Sequence, residues 1–178
     1  AEIYTKAPKV RLYLNDKLIA ERDVNIDTQY KAVIKLPYQP GILKAVSVDA
    51  NGKEMAESTL RTSGEPAAIR LTPDRKLINA DGQDLAFIYV DVVDKDGNIV
   101  ADADIPVTVS VKGQASLLAA ASANLKDLEP KTSPKVTTYK GKAIIVVRSG
   151  RKAGKAVISA TMPKENGSKS TSLTITCK

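Results

Sequence analysis

The sequence predicts an all-β fold of two small sandwiches in tandem, and three observations carry that prediction. Apolar residues recur with period two, turn signals interrupt them at short intervals, and no stretch sustains the 3.6-residue period of an amphipathic helix. Val10, Leu12 and Leu14 alternate with Arg11 and Tyr13; Val107, Val109 and Val111 with Thr108 and Ser110; Leu173 and Ile175 with Thr174 and Thr176. Segments of this kind put one face on a core and the other in water. Between them fall Asn15-Asp16, Pro37 through Gly41, Asn51-Gly52, Asp81-Gly82, Asp96-Gly97-Asn98, Lys140-Gly141, Gly150, Gly154 and Asn166-Gly167. Gly, Asn and Asp accept the backbone conformations that tight turns demand.

In chain order, the alternation places strands near residues 2–5, 9–14, 18–24, 30–36, 42–48 and 54–62. A second series falls near 67–72, 76–80, 84–93, 98–100, 105–111, 142–148, 155–161 and 170–177. Between the two series, the stretch from Arg61 to Pro66 combines Gly64 with a proline and reads as a linker. The expected domains are therefore 1–64 and 65–178. The one helix-compatible stretch is Ala115 to Leu128, rich in Ala and Leu. It lies among strands and contains Ser and Asn, so it reads as a long connection with room for one helical turn.

Composition excludes several kinds of chemistry. The 178 residues include no His, no Trp and a single Cys. The commonest zinc, iron and haem ligand sets cannot be assembled, nor can a Ser-His-Asp or Cys-His catalytic group. No cofactor and no metal site is expected. Aromatic residues make up 4% of the chain, too few for a single-strand stacking platform. No apolar run approaches the roughly 20 residues of a membrane-spanning helix, and the start of the chain lacks the apolar core of a secretory signal. Cys177, alone, excludes an internal disulfide framework.

The net charge of +7 is unevenly spread: +2 over residues 1–64, −5 over 65–111 and +10 over 112–178. From Lys131 to Lys164 there is no carboxylate. Such a basic stretch attracts anionic partners in general. Here, base-reading motifs are missing and only Tyr139 interleaves with the charges, so neither nucleic acid nor a membrane is expected as partner. Compensation by the acidic part of the same sandwich is the expectation.

Three groups of residues are candidates for a site. Asp91, Asp94 and Asp96 with Gly97 and Asn98 suggest a calcium loop, but Ile99, Val100 and Ala101 stand where further oxygen ligands are required, so the segment reads as a hairpin turn. Asp81 with Asp84, and Asp102 with Asp104, are the carboxylate pairs that glycosidic chemistry could use. They sit in turns, where Asp serves the local backbone, and nothing nearby would desolvate one member and raise its pKa. No catalytic residue is expected. In the segment from Ala86 to Val92, the face carrying Ala86, Ile88, Val90 and Val92 is uniformly apolar and should face the core. Phe87 and Tyr89 then stand on the outer face beside Asp91. They are the candidate contact residues, for a neighbouring domain first and for a glycan second.

Several phrases, taken together, resemble a known family. They are the runs Val10 to Leu18, Leu36 to Val46 and Arg61 to Arg75, extended by Ala80 to Leu85, Val92 to Asn98 and Tyr139 to Val147. In this order they resemble the C-terminal region of bacterial family 2 glycoside hydrolases of the β-galactosidase type, over nearly the whole chain. The resemblance implies a small immunoglobulin- or fibronectin-like domain over residues 1–62, of unassigned role. It implies a terminal immunoglobulin-like domain akin to bacterial adhesin repeats over 65–178. It also implies an upstream catalytic domain in the same polypeptide, with a barrel carrying two catalytic glutamates, and a periplasmic or extracellular location. No residue of this chain matches a catalytic motif, so the expected role is non-catalytic packing against the barrel or a partner subunit. An independent carbohydrate-binding module and an adhesin-like spacer are the alternatives. Where the family usually has a Gly- and Asn-rich loop, this chain reads Gly113 to Asn124 with Ala and Leu, which points to packing there.

Overall fold

The structure is a computed structural model, and it describes residues 1–163 and 169–178. The turn expected at Asn166-Gly167 and the basic residue Lys164 lie outside the described residues. The chain divides into two compact units, Ala1–Thr62 and Ser63–Lys178. Strands are the regular elements throughout, and no helix occurs among the described residues.

The first unit holds β1 (Glu2–Tyr4), β2 (Lys9–Leu14), β3 (Lys17–Asp23), β4 (Lys31–Val33), β5 (Ile42–Val48) and β6 (Glu54–Arg61). Strands β3-β2-β5-β6 form one antiparallel sheet, and β1 pairs with β4 in a second of two strands. Asn15 and Asp16 both take positive φ, 49° and 63°, as a two-residue hairpin between β2 and β3 requires. The Asn15 side chain also accepts the Ile42 N–H at 2.8 Å, tying that turn to the start of β5. The strand expected over 30–36 shortens to β4, because Gln29 and Tyr30 turn with φ of 54° and 56°. Val10, Val24 and Ala32 form a buried cluster with Ile3 packed against it, and Ala7, Leu12, Ile34, Val46 and Val48 are buried as well.

The second unit holds β7 (Ala68–Pro73), β8 (Leu77–Ile78), β9 (Leu85–Val93), β10 (Pro106–Gly113), β11 (Ala115–Ala121), β12 (Lys135–Thr137), β13 (Lys142–Ser149), β14 (Gly154–Thr161) and β15 (Ser170–Cys177). One sheet runs β12-β10-β14-β15-β8 and the other β11-β13-β9-β7. All pairings are antiparallel except β15 with β8. The inward residues Ala86, Ile88, Val90 and Val92 of β9 are fully buried, as are Ile145 and Val147 of β13 and Ala156, Ile158 and Ala160 of β14. Each buried Val or Ile contributes about 1.5–3 kcal/mol of hydrophobic stabilisation.

The stretch Ala115 to Leu128 is the clearest correction. It is not a connection with a helical turn: its first half is β11, paired with β13 from Ala115↔Ser149 to Ala121↔Ile144 with a bulge between Leu117 and Ala119. Sheet pairing overrides the helix preference of Ala and Leu, which is weak, a few tenths of a kcal/mol per residue. Gly113 makes the crossing from β10 to β11 possible. It takes φ of 99°, and a Cβ there would collide with the Lys155 carbonyl oxygen. Two other expectations change. Residues 98–100 form no strand, only an isolated bridge between Val93 and Ile99, because Asp94 holds the chain in a turn. The strand expected at 76–80 contracts to Leu77–Ile78, where β8 meets the end of β15.

Candidate functional site

The outer face of the β11-β13-β9-β7 sheet gathers the residues that the alternation of β9 turns away from the core. Phe87 is half-buried and Tyr89 is 52% exposed. Cross-strand registry places Val146 of β13 beside Phe87, and Ile144 of β13 with Thr72 of β7 on either side of Tyr89. Beyond them, Ala119 and Ala121 of β11 stand opposite Val146 and Ile144. The result is a strip of aromatic and small apolar side chains on a rigid sheet, where cross-strand neighbours support one another. Leu118, at the bulge, is 37% exposed. Ala and Leu of this stretch therefore contribute to a surface as strand residues rather than as a loop.

One end of the strip is closed by charge. The Asp91 carboxylate accepts from Arg70 Nη2 at 2.9 Å and Nε at 3.2 Å through one oxygen, and from Lys142 Nζ at 3.1 Å through the other. Asp91 is buried while both cations stay exposed. A buried carboxylate persists only when paired, and two cations pair this one. Among the described residues, Lys142–Asp91 is the one ion pair joining the acidic stretch 65–111 to the basic stretch 112–178. The expected internal compensation is thus local to this face: Lys131 pairs instead with Asp127 of its own stretch.

The other carboxylates serve turns. Asp94 accepts the N–H groups of Gly64, Asp96 and Asn98 and the Asn98 side-chain amide. The Gly64 N–H above all, then Asn98, lowers its pKa to about 2. Gly97 takes φ of 82°, as the turn requires. Asp91, Asp94 and Asp96 thus point to different partners, Asp96 to Lys95, and the described residues contain no cluster that could hold a metal ion. Asp81 accepts from the N–H groups of Asp84 and Gln83, which lower its pKa, the opposite of what a general acid needs. Asp84 accepts from Asn79 and Leu85, and Asp104 from the Lys140 N–H. These carboxylates are committed to the local backbone.

Ile144 and Val146 were not singled out by the sequence, whereas Ala119 and Ala121 belong to the Ala- and Leu-rich stretch from which packing is expected. Four consecutive apolar residues, Ile144 to Val147, conceal which phase of β13 faces outward. No helix among the described residues is long and apolar enough to cross a membrane.

Comparison with known proteins bears on what this face belongs to. Residues 69–171 match the model of glycoside hydrolase family 2 C-terminal domain 5, and residues 2–56 match a domain of unknown function. The β-galactosidase BoGH2A of Bacteroides ovatus is 35% identical over 89% of this chain, which spans 18% of that protein. A β-galactosidase of Thermoanaerobacter pseudethanolicus is 27% identical over 89% of the chain, which spans 21% of it. The crystal structure of a glycosyl hydrolase family 2 member from Bacteroides cellulosilyticus superposes with a TM-score of 0.93 at 33% identity, covering 99% of this chain and 22% of the other. The chain thus spans about a fifth of each of these three proteins. By these matches the chain belongs to the C-terminal region of glycoside hydrolase family 2.

Proposed function

We propose that the chain is the non-catalytic end of a β-galactosidase-like glycoside hydrolase and that it packs against the catalytic barrel or a partner subunit. The observation that carries this reading is the strip of Phe87, Tyr89, Ile144 and Val146, apolar along its length and bounded by an ion triad that is already satisfied. A surface of that kind gains from burial against another apolar surface and offers no reacting group. The names of the two β-galactosidases support galactoside hydrolysis as the activity of the parent, with the upstream domain supplying the chemistry.

The test uses the chain alone and the parent enzyme. The chain alone is expected to leave a chromogenic β-galactoside intact. In the parent, Tyr89→Asp is expected to speed thermal inactivation or alter subunit assembly with the initial rate preserved. Hydrolysis by the isolated chain, or a parent indifferent to Tyr89→Asp, overturns the reading.

Glycan contact at Phe87 and Tyr89 is the second reading, favoured by the exposure of Tyr89. A glycan array probed with the wild-type chain and with Phe87→Ala plus Tyr89→Ala separates the two. We further propose, on the resemblance of the sequence, a periplasmic or extracellular location for the parent, which fractionation of the native host would test.

A further inference from the structure

The first unit is a sandwich with one layer unfinished. Its four-stranded sheet turns Val10, Leu12 and Leu14 of β2 toward the second layer, and their registry partners on β5 are Ser47, Ala45 and Leu43. Those residues in turn stand opposite Ala56, Ser58 and Leu60 of β6. The second layer has only two strands, β1 and β4. Val10 and Leu12 are buried, but every residue of β6 is exposed, Leu60 to 69%. Between β1 and the bare half of the sheet runs a groove of about 310 Å³, walled by Ile3 and Tyr4 on one side and by Leu43, Ala45 and Leu60 on the other.

The edge of β1 that borders this groove is unpaired. Toward β4, the Ala1 nitrogen donates to the Ile34 carbonyl at 2.7 Å, Ile34 N–H donates back to Ala1, and Thr5 N–H donates to Tyr30. In an antiparallel ladder the intervening residues turn their backbone groups the other way. Glu2 and Tyr4 therefore present N–H and C=O groups to the free edge, alongside an apolar sheet face that lacks a cover. Ala1 itself lines the groove, and the Bacteroides ovatus and Bacteroides cellulosilyticus proteins are about five times the length of this chain, so in a parent of that length a preceding polypeptide would leave from the wall of the groove.

We infer that the residues immediately preceding Ala1 in the parent form a strand that pairs antiparallel with β1 and closes the bare half of the sheet. A hairpin turn of two to five residues followed by a short strand needs only about ten residues. That strand would accept and donate hydrogen bonds at Glu2 and Tyr4 and turn alternate apolar side chains onto Leu43, Ala45 and Leu60. An unpaired edge beside an apolar face is the situation that strand addition resolves. The inference rests on the chain being the end of a longer polypeptide, and not on which surface the catalytic domain meets.

The experiment compares the chain with a version extended by its twelve or so natural preceding residues, neither containing the catalytic domain. In the extended chain, the Glu2 and Tyr4 amides are expected to exchange with solvent about tenfold more slowly or better, and the first unit to melt higher. Leu60→Glu should leave the melting of the unextended chain unchanged, because Leu60 is exposed there, and should cancel the gain in the extended one. Equal exchange at Glu2 and Tyr4 in both versions, or a Leu60→Glu effect of the same size in both, overturns the inference. Because the catalytic domain is absent throughout, either result leaves the proposed packing at Phe87 and Tyr89 standing or falling on its own test.

Discussion

The two units solve the same architectural problem to different degrees. The second, Ser63–Lys178, lays two multi-stranded sheets face to face over a core that includes Ile88, Val90, Ile145, Ile158 and Ile175, all fully buried. The first, Ala1–Thr62, buries smaller and fewer apolar residues, Val10, Leu12, Val46 and Val48 most completely, and has a strand, β6, with no buried residue at all. A domain of about 60 residues is already marginal, since its surface is large for its volume. The second unit closes its core between two sheets, and the first leaves the outermost strand of its larger sheet exposed.

The largest effect is expected where packing is complete. Ile88→Ala should cost about 3 kcal/mol, seen as a lower denaturant midpoint for the second unit, because the surrounding strands cannot collapse into the cavity. In the first unit, Leu43→Ala should cost less than about 1 kcal/mol, since Leu43 is only half-buried. Equal costs would abolish the contrast. Next comes Gly113→Ala, expected to cost about 2 kcal/mol or more, because φ of 99° is foreign to alanine and the new Cβ meets the Lys155 carbonyl.

A smaller effect depends on pH. The ionised Asp94 carboxylate is favoured by the native turn, with its pKa down from 3.8 to about 2. Its contribution is complete above pH 3.8 and is lost as the pH falls from there through about 2. Acid titration of the second unit should show this loss, and Asp94→Asn should flatten it. The smallest effect belongs to Tyr89→Ala, within about 0.5 kcal/mol for the isolated chain, because Tyr89 is exposed on a sheet that is held by other residues. A large loss there would mean that the strip stabilises the unit itself, and the packing role would need another surface.

Much of this was legible because period two is hard to imitate. In β9, the alternation of Ala86, Ile88, Val90 and Val92 told which face was core and put Phe87 and Tyr89 outside, where they stand. β11 was illegible for a physical reason. Ala and Leu prefer a helix by amounts that hydrogen bonding to β13 outweighs, and nothing in the local sequence announces that partner. β12 was missed as well, since a three-residue strand behind Pro134 has no period to read. The strip beside Phe87 depended on knowing that β13 and β11 lie next to β9, which is long-range information. The open face of the first unit is of the same kind: nothing in the sequence of β5 and β6 marks it, and only the count of strands in the opposite layer reveals it.

Cys177 gives the molecule a means of reporting on this asymmetry. It is the chain's sole thiol, it lies fully buried at the end of β15, and its Sγ donates to the Gln114 carbonyl at 3.1 Å. Burial also raises its pKa, so little thiolate forms at neutral pH even when reagent arrives. A thiol reagent therefore counts openings of the second unit and is blind to those of the first. Labelling kinetics set beside amide exchange in β1 and β6 would time the two units separately within one unmodified chain.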